Sequence, residues 1–165
     1  MPPKSTRRWR QRSRRRGAAW PPERPERAVA GASMRWLAID AGTVRAGFAI
    51  CDPDERVVVP LDIVPAGVAF PAVRTIVARD GVEGIVLGLA LTPRGLEEES
   101  ARMARRLGDR IERSLHLPVE YEDEQLTSVE AERLGGQQGG RGRPSDDLAA
   151  VLILEQFLAR RHARA

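Results

Sequence analysis

The stretch RWLAIDAGTVRAGFAICDPDERVVVPLDIV, residues 35–64, decides the fold. Two apolar runs, RWLAIDAG and RAGFAICD, are joined through Gly42 and Thr43, which suit a tight reversal. Asp52-Pro53-Asp54-Glu55, with Pro at its second position, predicts a turn that returns the chain into RVVVPLDIV. The expectation is three consecutive antiparallel strands.

Downstream the hydrophobic period changes from two to three or four. Phe70, Val73, Ile76 and Val77 are spaced for one helical face, and the continuous apolar run Gly84 to Leu89 reads as a strand buried on both faces. A helix followed by a buried strand predicts a parallel crossover. Residues 96–115 place Ala101, Ala104, Leu107, Ile111 and Leu115 on one face of a second helix, closed by Pro118. PVEYEDE reads as a last strand and LTSVEAERL as a short helix capped by Thr127 or Ser128. GGQQGGRGR, residues 135–143, reads as a flexible loop, and Pro144-Ser145-Asp146-Asp147 opens a final amphipathic helix. The predicted order is βββ-α-β-α-β-α-α, an α/β fold with a five-stranded mixed sheet and no internal repeat.

Charge divides the chain. Residues 1–33 hold ten Lys/Arg against two Glu, a net of +8, whereas the remainder holds 17 basic against 21 acidic residues, a net of −4. The first segment has Arg clusters, Pro pairs and no sustained apolar period, so it is expected to be a disordered basic extension. It lacks the apolar core of a secretory signal, and its prolines oppose the amphipathic helix of a transit peptide. Met34, directly before the first strand, also fits a later start. Residues 34–162 are expected to form one domain, with 163–165 as a short tail. No apolar run approaches the roughly 20 residues that span a bilayer. Cys51 is the only cysteine, which excludes an internal disulfide, a zinc cage and a Cys-x-x-Cys pair, and fits a reducing cytoplasm.

The chemistry is expected at three carboxylates. Asp40 ends the apolar strand WLAID, where a carboxylate is unfavourable unless it reaches the strand tip and finds a partner. Glu124 follows the last strand, and Asp146 opens the final helix. Each has a plain structural alternative: a turn-forming Asp, a charged strand end, and an acidic residue favoured by the helix dipole. Together they can converge at the carboxyl edge of one sheet. Clustered carboxylates repel one another unless a cation lies between them, and oxygen-only ligands select Mg²⁺ or Mn²⁺. Two such ions can activate water and stabilise the leaving oxygen of a phosphodiester. No Ser-His-Asp or Cys-His set competes, since His116 ends a helix and His162 lies in a basic fringe; both are expected to face solvent. Gly42 and Thr43 suit the approach of a phosphate backbone, and Arg45, Arg94, Arg141 and Arg143 suit flanking phosphates.

AIDAGTVRAGFAICD, GLALTPRG, YEDEQLTSVEAERL and SDDLAAVLILEQFL resemble the successive blocks of the YqgF/RuvX family over nearly all of residues 34–160. The resemblance implies a ribonuclease H-like fold similar to that of the Holliday junction resolvase RuvC. It also implies a metal-dependent nuclease, acting in 16S rRNA 5′-end processing on structured precursor rRNA or else on branched DNA, as monomer or weak homodimer. On this resemblance the family's catalytic acids fall on Asp40, Glu124 and Asp146. The chain departs from the family at Gln125, where Arg is usual, at Val44, where a basic residue is frequent, and at Ala90, where Pro is usual. Two other readings compete. A strand-tip Asp before Gly-Thr is also found in actin-like ATPases, but these close two domains over ATP and this chain has length for one. A non-catalytic RNA-binding or transcription-associated module would keep the acids as a vestige.

Overall fold

Strand β1 (Trp36–Ala41) and strand β2 (Arg45–Cys51) form the hairpin that residues 35–52 predict, with Ile39 opposite Phe48 and Asp40 opposite Gly47. The computed structural model describes residues 33–89, 99–123 and 146–164. The turn after β2 forms as expected: Glu55 N donates to Asp52 O at 3.1 Å, while Asp52 Oδ1 accepts from the amides of Arg56 and Val57 at 2.6 and 2.8 Å. The third strand is two short pieces, β3 (Val58–Pro60) and β4 (Val64–Pro65), both antiparallel to β2. Pro60 lacks an amide donor, and a proline is tolerated at a sheet edge where no neighbour needs that bond. The sheet therefore has six strands among the described residues rather than five, in the order β3-β2-β1-β5-β6 with β4 also on β2.

Helix α1 (Ala69–Asp80) buries Phe70, Val73 and Ile76, as the spacing requires. It ends at Gly81, whose left-handed conformation (φ 65°) lets its amide reach Val77 O at 3.1 Å. Strand β5 (Gly84–Leu89) is wholly buried and pairs in parallel with β1 on one side and with β6 (Val119–Asp123) on the other. Between β5 and β6 lies helix α2 (Glu99–Leu115), which buries Ala101, Ala104, Gly108 and Ile111. Gly108 allows close approach to the sheet, because a β-carbon there would collide with the Tyr121 hydroxyl and with Leu87.

Helix α3 (Asp146–Ala163) covers the opposite face. Ala150, Ile153, Leu154, Phe157 and Leu158 form one buried cluster with Trp36, Ala38, Ala49, Cys51 and Val86. The Trp36 and Phe157 rings meet edge to face, centroids 4.6 Å apart. Two residues of the last turn of α3 meet one carboxylate. Glu55 Oε1 accepts from Met34 N at 2.7 Å, Trp36 Nε1 at 3.3 Å and Arg161 Nε at 3.2 Å, and Glu55 Oε2 lies 2.9 Å from His162 Nε2. His162 is exposed, as expected, and one of its ring nitrogens meets the buried Glu55 carboxylate. His116 is exposed, as expected, in a left-handed conformation (φ 53°) just after α2. The short helix expected at 126–134 and the loop at 135–143 lie outside the described residues.

Candidate functional site

Strand β1 runs through the middle of the sheet, and its carboxyl end carries Asp40. The residues of β1 alternate between two layers, so Asp40 is in phase with Trp36 and Ala38, which face α3. Ile39 pairs with Leu87, and Leu87 with Tyr121, while Gly88 pairs with Glu122. Asp40, one residue beyond Ile39, therefore falls in one transverse row with Gly88 and Glu122. Two strand spacings, about 10 Å, separate the Asp40 and Glu122 backbones. Asp40 is partly exposed, at the point where the strand gives way to the turn.

That turn is built tightly. Gly42 N donates to Arg45 O at 2.9 Å and closes the β1–β2 hairpin. A β-carbon on residue 42 would stand 2.7 Å from Arg45 O, so glycine is required by the turn itself. Thr43, Val44 and Arg45 are exposed at its tip, Val44 by 74%. Asp40, Gly42, Thr43 and Arg45 are thus brought together at the carboxyl edge.

Of the other expected site residues, Glu124, Arg94, Arg141 and Arg143 lie outside the described residues. Asp146 is the first residue of α3. Among the described residues no group of three His, Cys, Asp or Glu could hold a metal ion; that set contains Asp40 but not Glu124.

Glu122 was not singled out from the sequence. It is 2% exposed, and its Oε2 lies 2.6 Å from Arg160 Nη2 of α3. The approach is close but off the hydrogen-bonding axis of that oxygen, so charge rather than alignment holds the pair. Burial raises the Glu122 pKa above the usual carboxylate value; Arg160 opposes the shift, the charge of Asp123 adds to it and Arg164 opposes it. The available signal was the period of two that puts Glu122 in phase with Glu124. Helix α3 crosses the sheet obliquely, since its last turns touch both Glu55 beside the start of β1 and Glu122 near the end of β6.

No helix among the described residues is long and apolar enough to cross a membrane. Comparison with known proteins then fixes the family. Residues 34–160 match the family model described as "RuvX: Holliday junction resolvase". A protein of Lactobacillus gasseri named "Putative pre-16S rRNA nuclease" is 35% identical over 136 residues, covering 76% of this chain and 95% of that protein. One of the same name from Chloroflexus aurantiacus is 37% identical over 134 residues, covering 77% of this chain and 88% of that protein. Among solved structures, Thermus thermophilus RuvC in complex with a Holliday junction substrate aligns with TM-score 0.54 at 18% identity, over 80% of this chain and 98% of RuvC. That likeness shows the fold, a ribonuclease H-like mixed sheet flanked by helices. Sequence blocks, strand order and relatives agree, and the chain belongs to the RuvX family.

Proposed function

We propose that this chain is a divalent-metal-dependent nuclease that hydrolyses phosphodiester bonds, with precursor 16S rRNA as its substrate and 5′-end processing in the cytoplasm as its role. The observation that carries the reading is Asp40 at the carboxyl tip of the central strand, in the same row as the end of β6, which leads directly into Glu124. The relatives' name supports the substrate.

In this reading Asp40, Glu124 and Asp146 hold the cation. In sequence Glu124 directly follows the end of β6, the strand whose Glu122 shares a row with Asp40. Phe157 packs on Trp36, and Asp146 lies eleven residues earlier, about 16 Å back along α3. Asp40 lies four residues beyond Trp36, about 13 Å along β1. Asp146 opens the helix that packs on the face of β1 carrying Trp36 and Ala38, with which Asp40 is in phase, and this supports pairing the two acids. An all-carboxylate donor set fits hard cations, Mg²⁺ or Mn²⁺, and one or two ions satisfy the charge. When bound, the metal supplies an activated water and neutralises charge on the phosphate.

The chain's own residues position the substrate. Thr43 and Arg45, exposed beside Asp40, offer a hydroxyl and a guanidinium to the phosphate next to the one attacked. Arg94, Arg141 and Arg143 are proposed as further phosphate contacts on their charge. Gln125 in place of the family Arg removes one bidentate phosphate contact, so grip falls more heavily on the remaining arginines. The family description favours a second substrate, branched DNA.

The test incubates the purified full chain and Asp40→Asn with a precursor 16S rRNA fragment and with four-way DNA junctions, in Mg²⁺, Mn²⁺ or EDTA. Cleavage of the rRNA that falls more than about 100-fold in Asp40→Asn and vanishes in EDTA is the expected result. Cutting of the junction alone would transfer the assignment to DNA. Equal binding by both proteins without cutting under any condition would reject the enzyme in favour of a binding module.

A further inference from the structure

Helix α2 carries five arginines and three acidic residues on its exposed side. Arg102, Arg106 and Arg110 follow one another at i, i+4, so three like charges stack along one ridge, an arrangement that destabilises an isolated helix. All three are exposed, as is Arg113 beyond them. Glu99 and Asp109 lie three residues from Arg102 and Arg106 respectively. Even so, neither arginine makes an ion pair or hydrogen bond among the described residues. Arg110 is held with its guanidinium 4.0 Å from the centroid of the Phe70 ring, which fixes its position without neutralising it. The ridge is thus a row of positive charge that, among the described residues, has no ion pair at Arg102 or Arg106, on a domain whose remainder is net acidic.

Its placement is set by the crossover. Strand β5 ends at the carboxyl edge and β6 is parallel to it, so α2 starts at that edge and runs back from it. Arg105 sits over the Tyr121 ring, 5.1 Å from its centroid, two residues before the end of β6. Arg102 is about one turn, roughly 4.5 Å, nearer the edge. The ridge therefore begins beside the point where β6 leads into Glu124 and extends about 12 Å away from it, from Arg102 to Arg110.

We propose that Arg102, Arg106 and Arg110 form a track for the phosphate backbone of a nucleic-acid arm, holding substrate that crosses the carboxyl edge onto the α2 face. The location rests on the nuclease reading of that edge; the binding does not. A duplex presents one negative charge per roughly 1.7 Å of axis, so a single arm can meet every arginine of the ridge, and the contact is insensitive to sequence.

The experiment measures affinity of the full chain for a double-stranded precursor-rRNA arm and for a four-way DNA junction, in EDTA, between about 50 and 200 mM salt. The double variant Arg102→Gln/Arg106→Gln is compared with Arg102→Lys/Arg106→Lys and with Arg74→Gln, an exposed arginine of α1. Two lost phosphate contacts lower the log–log salt slope by about 1.8 in magnitude; the lysine variant restores it, Arg74→Gln leaves it unchanged, and melting temperatures stay equal. An effect on one substrate only assigns the track to that polymer. An unchanged slope, an equal loss in Arg74→Gln, or no nucleic-acid binding by the wild-type chain would overturn the track. An unchanged slope with cleavage still dependent on Asp40 leaves the nuclease standing. A lowered slope with no cleavage by any protein keeps the track and rejects the nuclease.

Discussion

Glu55 and Cys51 sit together under the last turn of α3. Glu55 is 5% exposed and adopts a left-handed backbone (φ 58°), a conformation costly for a side chain with a β-carbon. The turn tolerates it because the carboxylate accepts three hydrogen bonds and faces His162. Glu55→Ala removes the acceptor of the Met34 amide and of Trp36 Nε1 and one of the partners of Arg161. We expect it to destabilise the fold by about 3 kcal/mol in urea denaturation, with Glu55→Gln intermediate. Cys51 lies beside it, its Sγ 3.2 Å from the Trp36 amide. Burial pushes the thiol from 9.0 up to about 11; the Trp36 amide opposes the shift, while the charges of Glu55 and Asp52 add to it. The native state thus holds this proton more tightly than the unfolded chain does. The resulting stability is complete below pH 9 and is lost as pH rises from 9 to 11. Between pH 8 and 10.5 the wild-type chain should lose about 2 kcal/mol more unfolding free energy than Cys51→Ala.

The pairing of α3 with β6 depends on Arg160 and Glu122, and its two ends are unequal. The Glu122 side chain is 3% exposed and that of Arg160 40%, so removing one partner does not cost the same as removing the other. Arg160→Ala strands a buried carboxylate, and we expect a loss of about 3 kcal/mol. Glu122→Gln leaves a half-exposed guanidinium that water can solvate and puts a neutral group where burial disfavours charge, so a loss under about 1 kcal/mol is expected. Denaturant midpoints of the two variants at pH 7 measure the difference; equal losses would mean that the pair is worth the same from either side. The inward faces of α1 and α2 were legible in the sequence, because Phe70, Val73 and Ile76, and Ala101, Ala104 and Ile111, obey the helical period. The splitting of the third strand was not. It depends on how Pro60 and the residues after it meet β2, a tertiary matter that a strand-like run does not encode.

Across the whole molecule, legibility follows the range of the interaction. The β1–β2 hairpin is local and could be read from Gly42 and the alternation around it. The central position of β1 arises from its parallel pairing with β5, with Trp36 opposite Gly84, a long-range contact that the local pattern does not encode. The same holds for the site: a carboxylate ending a buried strand marks Asp40 by itself, whereas Glu124 and Asp146 acquire meaning only beside it. Glu55 was hidden in a turn whose acidic residues look alike, and its role depends on a helix end over 100 residues later. Charge is the one global property that composition alone exposes, and it leads to a test. Residues 1–33 carry a net +8, whereas the family match starts at residue 34. If the domain's own arginines grip the substrate, a chain beginning at Ser33 should melt within about 2 °C of the full chain and still cleave in a manner that depends on Asp40. Its salt slope should shrink by the arm's share of phosphate contacts and remain clearly above zero. A slope near zero in the shortened chain would mean that the arm supplies the affinity and that the net-acidic domain contributes catalysis without grip.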